Sequence, residues 1–73
     1  MQTVTFSKGL GKKLKLARIE VGLTQSEVGK KMYCCNKVIQ RIESGDREPK
    51  ISELNRLAEI YRKPIAFFMS VER

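Results

Sequence analysis

A chain of 73 residues with a net charge of +7 and no histidine has room for one small domain, and its basic excess favours a polyanionic partner. The charge alone is equally compatible with a solvated cationic surface. The adjacent pair Cys34 and Cys35 has neither a metal-ligand spacing nor that of a disulfide framework, so we expect reduced thiols, no metal and no cofactor. Short apolar runs and an N-terminus unlike a signal peptide predict a cytoplasmic protein without a membrane partner.

Residues 1–6 alternate weakly in hydropathy and predict an extended arm that docks on the body or on a second subunit. Ser7 can cap a first helix that runs to about Val21, with Gly9 and Gly11 softening its first turn. Apolar residues at helical spacing predict one buried stripe in this helix: Leu10, Leu14, Ala17 and Val21. Two further apolar residues lie off the stripe and need another cover: Leu16 and Ile19.

The next segment has the signals of a second helix that follows closely on the first. Gly22 is placed to end the first helix. Thr24 and Glu27 have the spacing of a capping box, which predicts a helix start at that point. Val28 and Met32 are expected to point inward from this second helix.

A joint at Tyr33 and Cys34 leads to a third helix at about 36–44, which Gly45 ends. Its expected core residues are Ile39 and Ile42. Its polar residues lie on one face near its N-terminus: Asn36, Lys37, Gln40 and Arg41. Asparagine and glutamine can pair bidentately with adenine and lysine can reach guanine, so this face suits the reading of base edges. The pattern also fits an ordinary solvated helix face, but the capped helix and joint before it favour the DNA-reading interpretation.

A fourth helix is predicted near Ser52 to Tyr61, and Pro64 begins a last short helix. Large apolar residues crowd this last helix: Ile65, Phe67, Phe68 and Met69. One face of a short helix cannot bury all four in so small a domain, so we expect some of them to pack on a second copy of the chain. The alternative is that all four close the core of the monomer. The chain is expected to be one all-α domain over 1–73, with an arm at 1–6 and a helical body at 7–69.

The span from Leu14 to Pro49 resembles the helix-turn-helix of the phage repressor and Cro family, also called the XRE family. The matching residues are Leu14, Ala17, Arg18, Gly22, Leu23, Thr24, Gln25, Glu27, Val28, Gly29, Ile39, Arg41, Ile42, Glu43, Gly45, Arg47 and Pro49. The resemblance implies a compact five-helix repressor-like DNA-binding domain, in which the second and third helices form the helix-turn-helix.

The resemblance also implies roles for particular residues. In the family, the glutamine at the position of Gln25 binds a phosphate and braces the third helix, and Arg47 would meet backbone phosphate. Arg18 and Glu43 match positions that form a buried salt bridge. The positions that line the major groove match Asn36, Lys37, Gln40 and Arg41. Family members bind double-stranded operators of two-fold symmetry as homodimers.

The chain departs from the family pattern at three positions. Tyr33 stands where glycine is usual, so a positive φ there would store strain on the order of 1 kcal/mol. Cys35 replaces a serine or threonine cap, which predicts a looser start of the third helix. Lys50 replaces a cap before the fourth helix, and Ser52 is expected to shift that start by two residues. The two cysteines also suggest a redox switch, whereas the match of Cys34 to an apolar core position favours inert thiols.

The function implied is that of a sequence-specific transcriptional regulator, usually a repressor in this family, without catalytic residues. One alternative is an antitoxin-type member that neutralises a toxin and uses DNA for autoregulation, although antitoxins usually carry extra sequence for the toxin. A second alternative comes from residues 62–69, which resemble the segment that closes the DNA-binding domain of regulators carrying a metallopeptidase-like domain. The chain has no histidine for a zinc peptidase site, so it would be the DNA-binding portion of a longer regulator.

Overall fold

The computed structural model describes residues 3–6 and 9–72, with side chains described for residues 9–69. The elements in chain order are strand β1 (Thr3–Phe6), helices α1 (Leu10–Glu20), α2 (Gln25–Lys31), α3 (Asn36–Ser44) and α4 (Ile51–Ile60), a 3₁₀ helix (Ile65–Phe68) and strand β2 (Met69–Glu72). The described residues thus contain four α-helices and one 3₁₀ turn where five helices were predicted. The described residues are mainly helical, as the predicted fold class requires, and the last predicted helix is shorter and of the 3₁₀ type.

The predicted N-terminal arm is a strand that pairs with the end of the same chain. β1 lies antiparallel to β2, with Val4 opposite Val71 and Phe6 opposite Met69. The all-α prediction, with its extended arm, therefore missed a two-stranded sheet, because four residues of alternating pattern are too short a signal to reveal a partner 63 to 69 residues away. A two-stranded sheet is marginally stable alone, so it depends on the helical body.

The core lies between all four α-helices and the 3₁₀ helix. Its buried apolar residues are Leu10, Leu14, Ala17, Val28, Ile39, Ile42, Leu54, Leu57, Ala58, Tyr61 and Phe68. The predicted stripe of the first helix is buried apart from Val21, which packs partly buried against the core. Leu16 and Ile19, which were expected to need another cover, are exposed in this structure.

Two predicted helix starts differ from the structure. α1 begins at Leu10 after Gly9, which has a φ of 73°, whereas Ser7 lies outside the described residues. α4 begins at Ile51, so the predicted shift to Ser52 is wrong. The reason is Glu53, whose Oε1 accepts a hydrogen bond of 2.8 Å from the backbone N–H of Lys50 and so fixes the first turn of α4 without a capping side chain.

Gly11 has a packing role that the sequence did not reveal. A Cβ atom at this position would collide with the carbonyl oxygen of Glu43 and lie 2.8 Å from that of Ile42. The absence of a side chain therefore lets α1 approach the end of α3 closely. This contact places Arg18 of α1 beside Glu43.

Candidate nucleic-acid interface

The start of α2 is fixed by the predicted capping box. Thr24 Oγ1 accepts a hydrogen bond from the backbone N–H of Glu27 at 3.1 Å, and the Thr24 N–H donates to Glu27 Oε1 at 2.9 Å. These hydrogen bonds lower the pKa of Glu27 below its ordinary value, and the bond from the Thr24 backbone N–H has the largest effect. The capping box sets where Gln25, the first residue of α2, stands relative to α3.

The joint between α2 and α3 is tight because Gly29 has no side chain. A Cβ at Gly29 would lie 2.8 Å from the carbonyl oxygen of Cys34, and the backbone N–H of Cys34 donates to the carbonyl of Gly29 at 2.8 Å. Tyr33 has a φ of 57°, the left-handed conformation expected where the family has glycine. The close joint holds the two helices as one unit.

α3 separates its apolar and polar residues as the sequence predicted. Ile39 and Ile42 are 2% and 3% exposed, and Val38 packs partly buried beside them. The polar residues of the predicted reading face are all exposed: Asn36, Lys37, Gln40 and Arg41. The first turns of α3 thus present amide groups and positive charge to the outside, the chemistry that pairs with base edges.

A part-buried hydrogen-bond network joins the three helices behind this face. Arg18 Nε donates to Glu43 Oε2 at 2.7 Å and Nη2 donates to Glu43 Oε1 at 3.2 Å, while Nη1 donates to the carbonyl of Leu23 at 2.8 Å. Gln25 Nε2 donates to Glu43 Oε1 at 3.0 Å. The bond to Glu43 raises the pKa of Arg18. The network connects Gln25 to α3, which is the bracing that the resemblance implied.

Arg47 has a partner that the sequence analysis did not identify. Its Nη2 lies 3.0 Å from Glu53 Oε2 and 3.3 Å from Glu53 Oε1. The signal was present, because an acid at the third position of a helix commonly reaches back to the residues before it. The residue predicted to meet phosphate is therefore held by an acid at the start of α4.

The two cysteines differ in environment. Cys35 is exposed and is the residue before α3, where it makes no side-chain capping hydrogen bond. The nearby backbone N–H groups, of Val38 first and then of Lys37, lower the pKa of Cys35, whereas burial raises the pKa of Cys34. In the part of the chain that the structure describes, no group of His, Cys, Asp and Glu side chains could hold a metal ion.

Comparison with known proteins defines the class. The model of the helix-turn-helix family matches residues 14–68, so the chain belongs to that family. This confirms the XRE-type resemblance, and the family and fold are those of DNA-binding regulators. Within the described residues, none of the helices has the length and apolar character needed to cross a membrane.

The solved structures that are similar to the chain include three that are described by their function. PlcR of Bacillus thuringiensis in complex with the peptide PapR7 and DNA is 32% identical with a TM-score of 0.76; the match covers 85% of this chain and 22% of PlcR. The DNA-binding domain of S. venezulae BldD is 32% identical with a TM-score of 0.70, covering 82% of this chain and 90% of that domain. The P22 c2 repressor bound to a synthetic operator shares the fold at 20% identity with a TM-score of 0.76; the match covers 84% of this chain and 92% of the repressor chain. No curated protein matches the chain.

Proposed function

We propose that the protein is a sequence-specific transcriptional regulator, in its simplest form a cytoplasmic repressor, that inserts α3 into the major groove of a double-stranded operator. The observation that carries the proposal is the division of α3 into a buried isoleucine face and an exposed polar face. The exposed residues that read base edges are Asn36, Lys37, Gln40 and Arg41. The DNA in the PlcR and P22 repressor complexes supports this function.

Gln25 and Arg47 are assigned to the DNA backbone. One N–H of the Gln25 amide donates to Glu43, and the amide carries a second N–H that can donate to a phosphate oxygen. Arg47 is half-buried and already paired with Glu53, so it reaches a phosphate by leaving or sharing that acid. Backbone contacts position the domain and are the same for every sequence.

The regulator acts as a homodimer on an operator of two-fold symmetry. Phe68 is fully buried and Ile65 and Met69 are partly buried, whereas Phe67 is 43% exposed. Exposed Leu16 and Ile19 on α1 provide the second apolar surface for a partner copy. Sedimentation that finds only monomer, both free and on operator DNA, would remove this part of the proposal.

Selection of binding sites from random duplex DNA tests the function directly. We expect a palindromic consensus with half-sites about 10 bp apart. Lys37→Ala and Gln40→Ala should each cost about 1–3 kcal/mol on that operator and much less on random DNA, because the lost contact is to a base. Gln25→Ala is the matched control, which should weaken both DNAs alike. Equal losses on both DNAs for the two α3 variants would show that α3 is not the reading helix.

The comparison with PlcR favours a second candidate, the DNA-binding portion of a longer regulator, since the match covers 22% of that chain. Such a regulator would bind the same DNA and carry its signal-sensing function elsewhere. An immunoblot of native cells distinguishes the two, since a band well above 8.4 kDa supports the longer protein.

A further inference from the structure

The turn between α2 and α3 carries a side chain to which no role has been assigned. Tyr33 is 88% exposed and has a φ of 57°, a backbone conformation that L-residues other than asparagine and aspartate rarely adopt. So exposed a ring contributes little to the core, and packing therefore does not offset the strain. Strained residues of this kind cluster at functional sites.

The surroundings of Tyr33 are basic. Arg56 Cζ of α4 lies 5.9 Å from the centroid of the Tyr33 ring, within cation–π range. Lys31, Tyr33 and Arg56 line an open groove of about 490 Å³, together with Ile60 and one acid, Glu59. Among the described residues, neither Lys31 nor Arg56 takes part in an ion pair. The groove therefore has a net positive charge.

The groove that Tyr33 lines lies close to the start of α3, because Tyr33 is near Asn36 in the sequence. Tyr33 precedes Asn36, the first residue of α3, by three residues. Three residues span at most about 11 Å, and the major groove is about 8.5 Å deep. When the N-terminus of α3 lies in the major groove of DNA, Tyr33 is therefore close enough to reach the phosphates at the rim of that groove.

We propose that Tyr33 and Arg56 form a second contact with the DNA backbone beside α3, in which the tyrosine hydroxyl donates to a phosphate oxygen and the guanidinium adds positive charge. This inference rests on the proposed function. Because the groove has a net positive charge, a polyanion fits it better than a protein surface with few acidic residues does. The left-handed backbone conformation of Tyr33 directs its ring toward solvent, and Arg56 lies against that ring. Glu59 weakens the contact by like-charge repulsion with the phosphate.

The test measures fluorescence anisotropy of the full chain on a labelled random-sequence duplex over a range of salt, with a melting curve for each variant. Tyr33→Gly should raise Tm, because the strain is relieved, and yet weaken binding about five-fold, the value of one hydrogen bond. Tyr33→Phe should weaken binding to a similar extent without the rise in Tm. Arg56→Gln should lower the slope of log K against log salt by roughly one unit, and Glu59→Gln should tighten binding.

Arg62→Gly is the matched control, because Arg62 is an exposed cation with the same φ of 57° that does not line the groove. It should raise Tm as Tyr33→Gly does and leave affinity and salt slope unchanged. Equal slope losses for Arg62→Gly and Arg56→Gln, or wild-type binding by both Tyr33→Gly and Arg56→Gln, would overturn the inference. In the second case the proposed function would still stand if Lys37→Ala and Gln40→Ala lose operator binding. A wild-type protein that binds no duplex would overturn both.

Discussion

Two arginine–glutamate pairs have one member each near the C-terminal end of α3, Glu43 in the first and Arg47 in the second, and the pairs differ in burial. The side chains of Arg18 and Glu43 are 11% and 5% exposed, at a distance of 2.7 Å. Those of Arg47 and Glu53 are 35% and 24% exposed, at 3.0 Å. The first pair also engages Leu23 and Gln25, whereas among the described residues the second pair engages only the backbone N–H of Lys50.

The difference in burial decides which arginine can leave its glutamate to bind a ligand. A charge taken out of water must keep its partner, because leaving it unpaired in a medium of low dielectric constant costs several kcal/mol. A half-exposed pair is worth about 0–1 kcal/mol, since water replaces the lost partner cheaply. Arg18 is therefore a structural residue, and Arg47 is able to exchange its carboxylate for a phosphate.

The largest expected effect is on the buried pair. Glu43→Ala removes the acceptor for both Arg18 and Gln25 and should destabilise the domain by about 3–5 kcal/mol, a large part of its stability. A thermal melt of the variant provides the measurement. Glu53→Ala is the matched comparison. Loss of its ion pair with Arg47 should cost about 1 kcal/mol or less, and loss of its hydrogen bond to the Lys50 N–H at the start of α4 adds to that cost. Similar melting temperatures for Glu43→Ala and wild type would contradict the distinction between the two pairs.

The next effect tests how the buried pair is brought together. Gly11→Ala places a Cβ against the carbonyl oxygen of Glu43, so α1 must move away from α3, at a cost of about 1–3 kcal/mol. Gly9→Ala is the control, because no atom lies within 4 Å of its Cβ and only its φ of +73° opposes the substitution. Urea unfolding measures both variants. If Gly11→Ala were the milder of the two, close approach of the helices would not be what positions Arg18.

The two regions also differ in how far the sequence predicted them. The Arg18–Glu43 pair, the capping box at Thr24 and the buried face of α3 follow from local spacing and from the family pattern, which the structure matches. The pairing of Arg47 with Glu53 and the packing role of Gly11 depend on the path of a turn and on the distance between two helices. Periodicity carries no information on either, and the same holds for the pairing of β1 with β2.

A smaller effect concerns the exchange at the exposed pair. If Arg47 leaves Glu53 for a phosphate, Glu53 attracts a cation from solution, so fewer ions are released in total than for an unpaired arginine. Arg47→Ala should therefore lower the salt slope by less than the roughly one unit expected of a free contact. Glu53→Gln keeps an acceptor for the Lys50 N–H and should tighten binding by up to about 1 kcal/mol while raising the slope. A full unit of loss in Arg47→Ala together with unchanged binding by Glu53→Gln would show that the pair does not open on DNA.

The smallest effect lies at the start of α3, in the exposed region near the second pair. Cys35 has the extended backbone of a capping residue, with φ −83° and ψ 161°, but its thiol makes no capping hydrogen bond. Cys35→Ser supplies a hydroxyl acceptor in that geometry and should stabilise the domain by about 0.5 kcal/mol, which raises Tm by roughly 2–4 °C. Cys34→Ser is the control, because Cys34 is half-buried against the core and a hydroxyl there has to be desolvated, so Tm should fall. A fall in Tm for Cys35→Ser would mean that the thiol packs or bonds at the helix start in a way that a hydroxyl cannot, and that α3 is held more firmly at its N-terminus than its missing cap indicates.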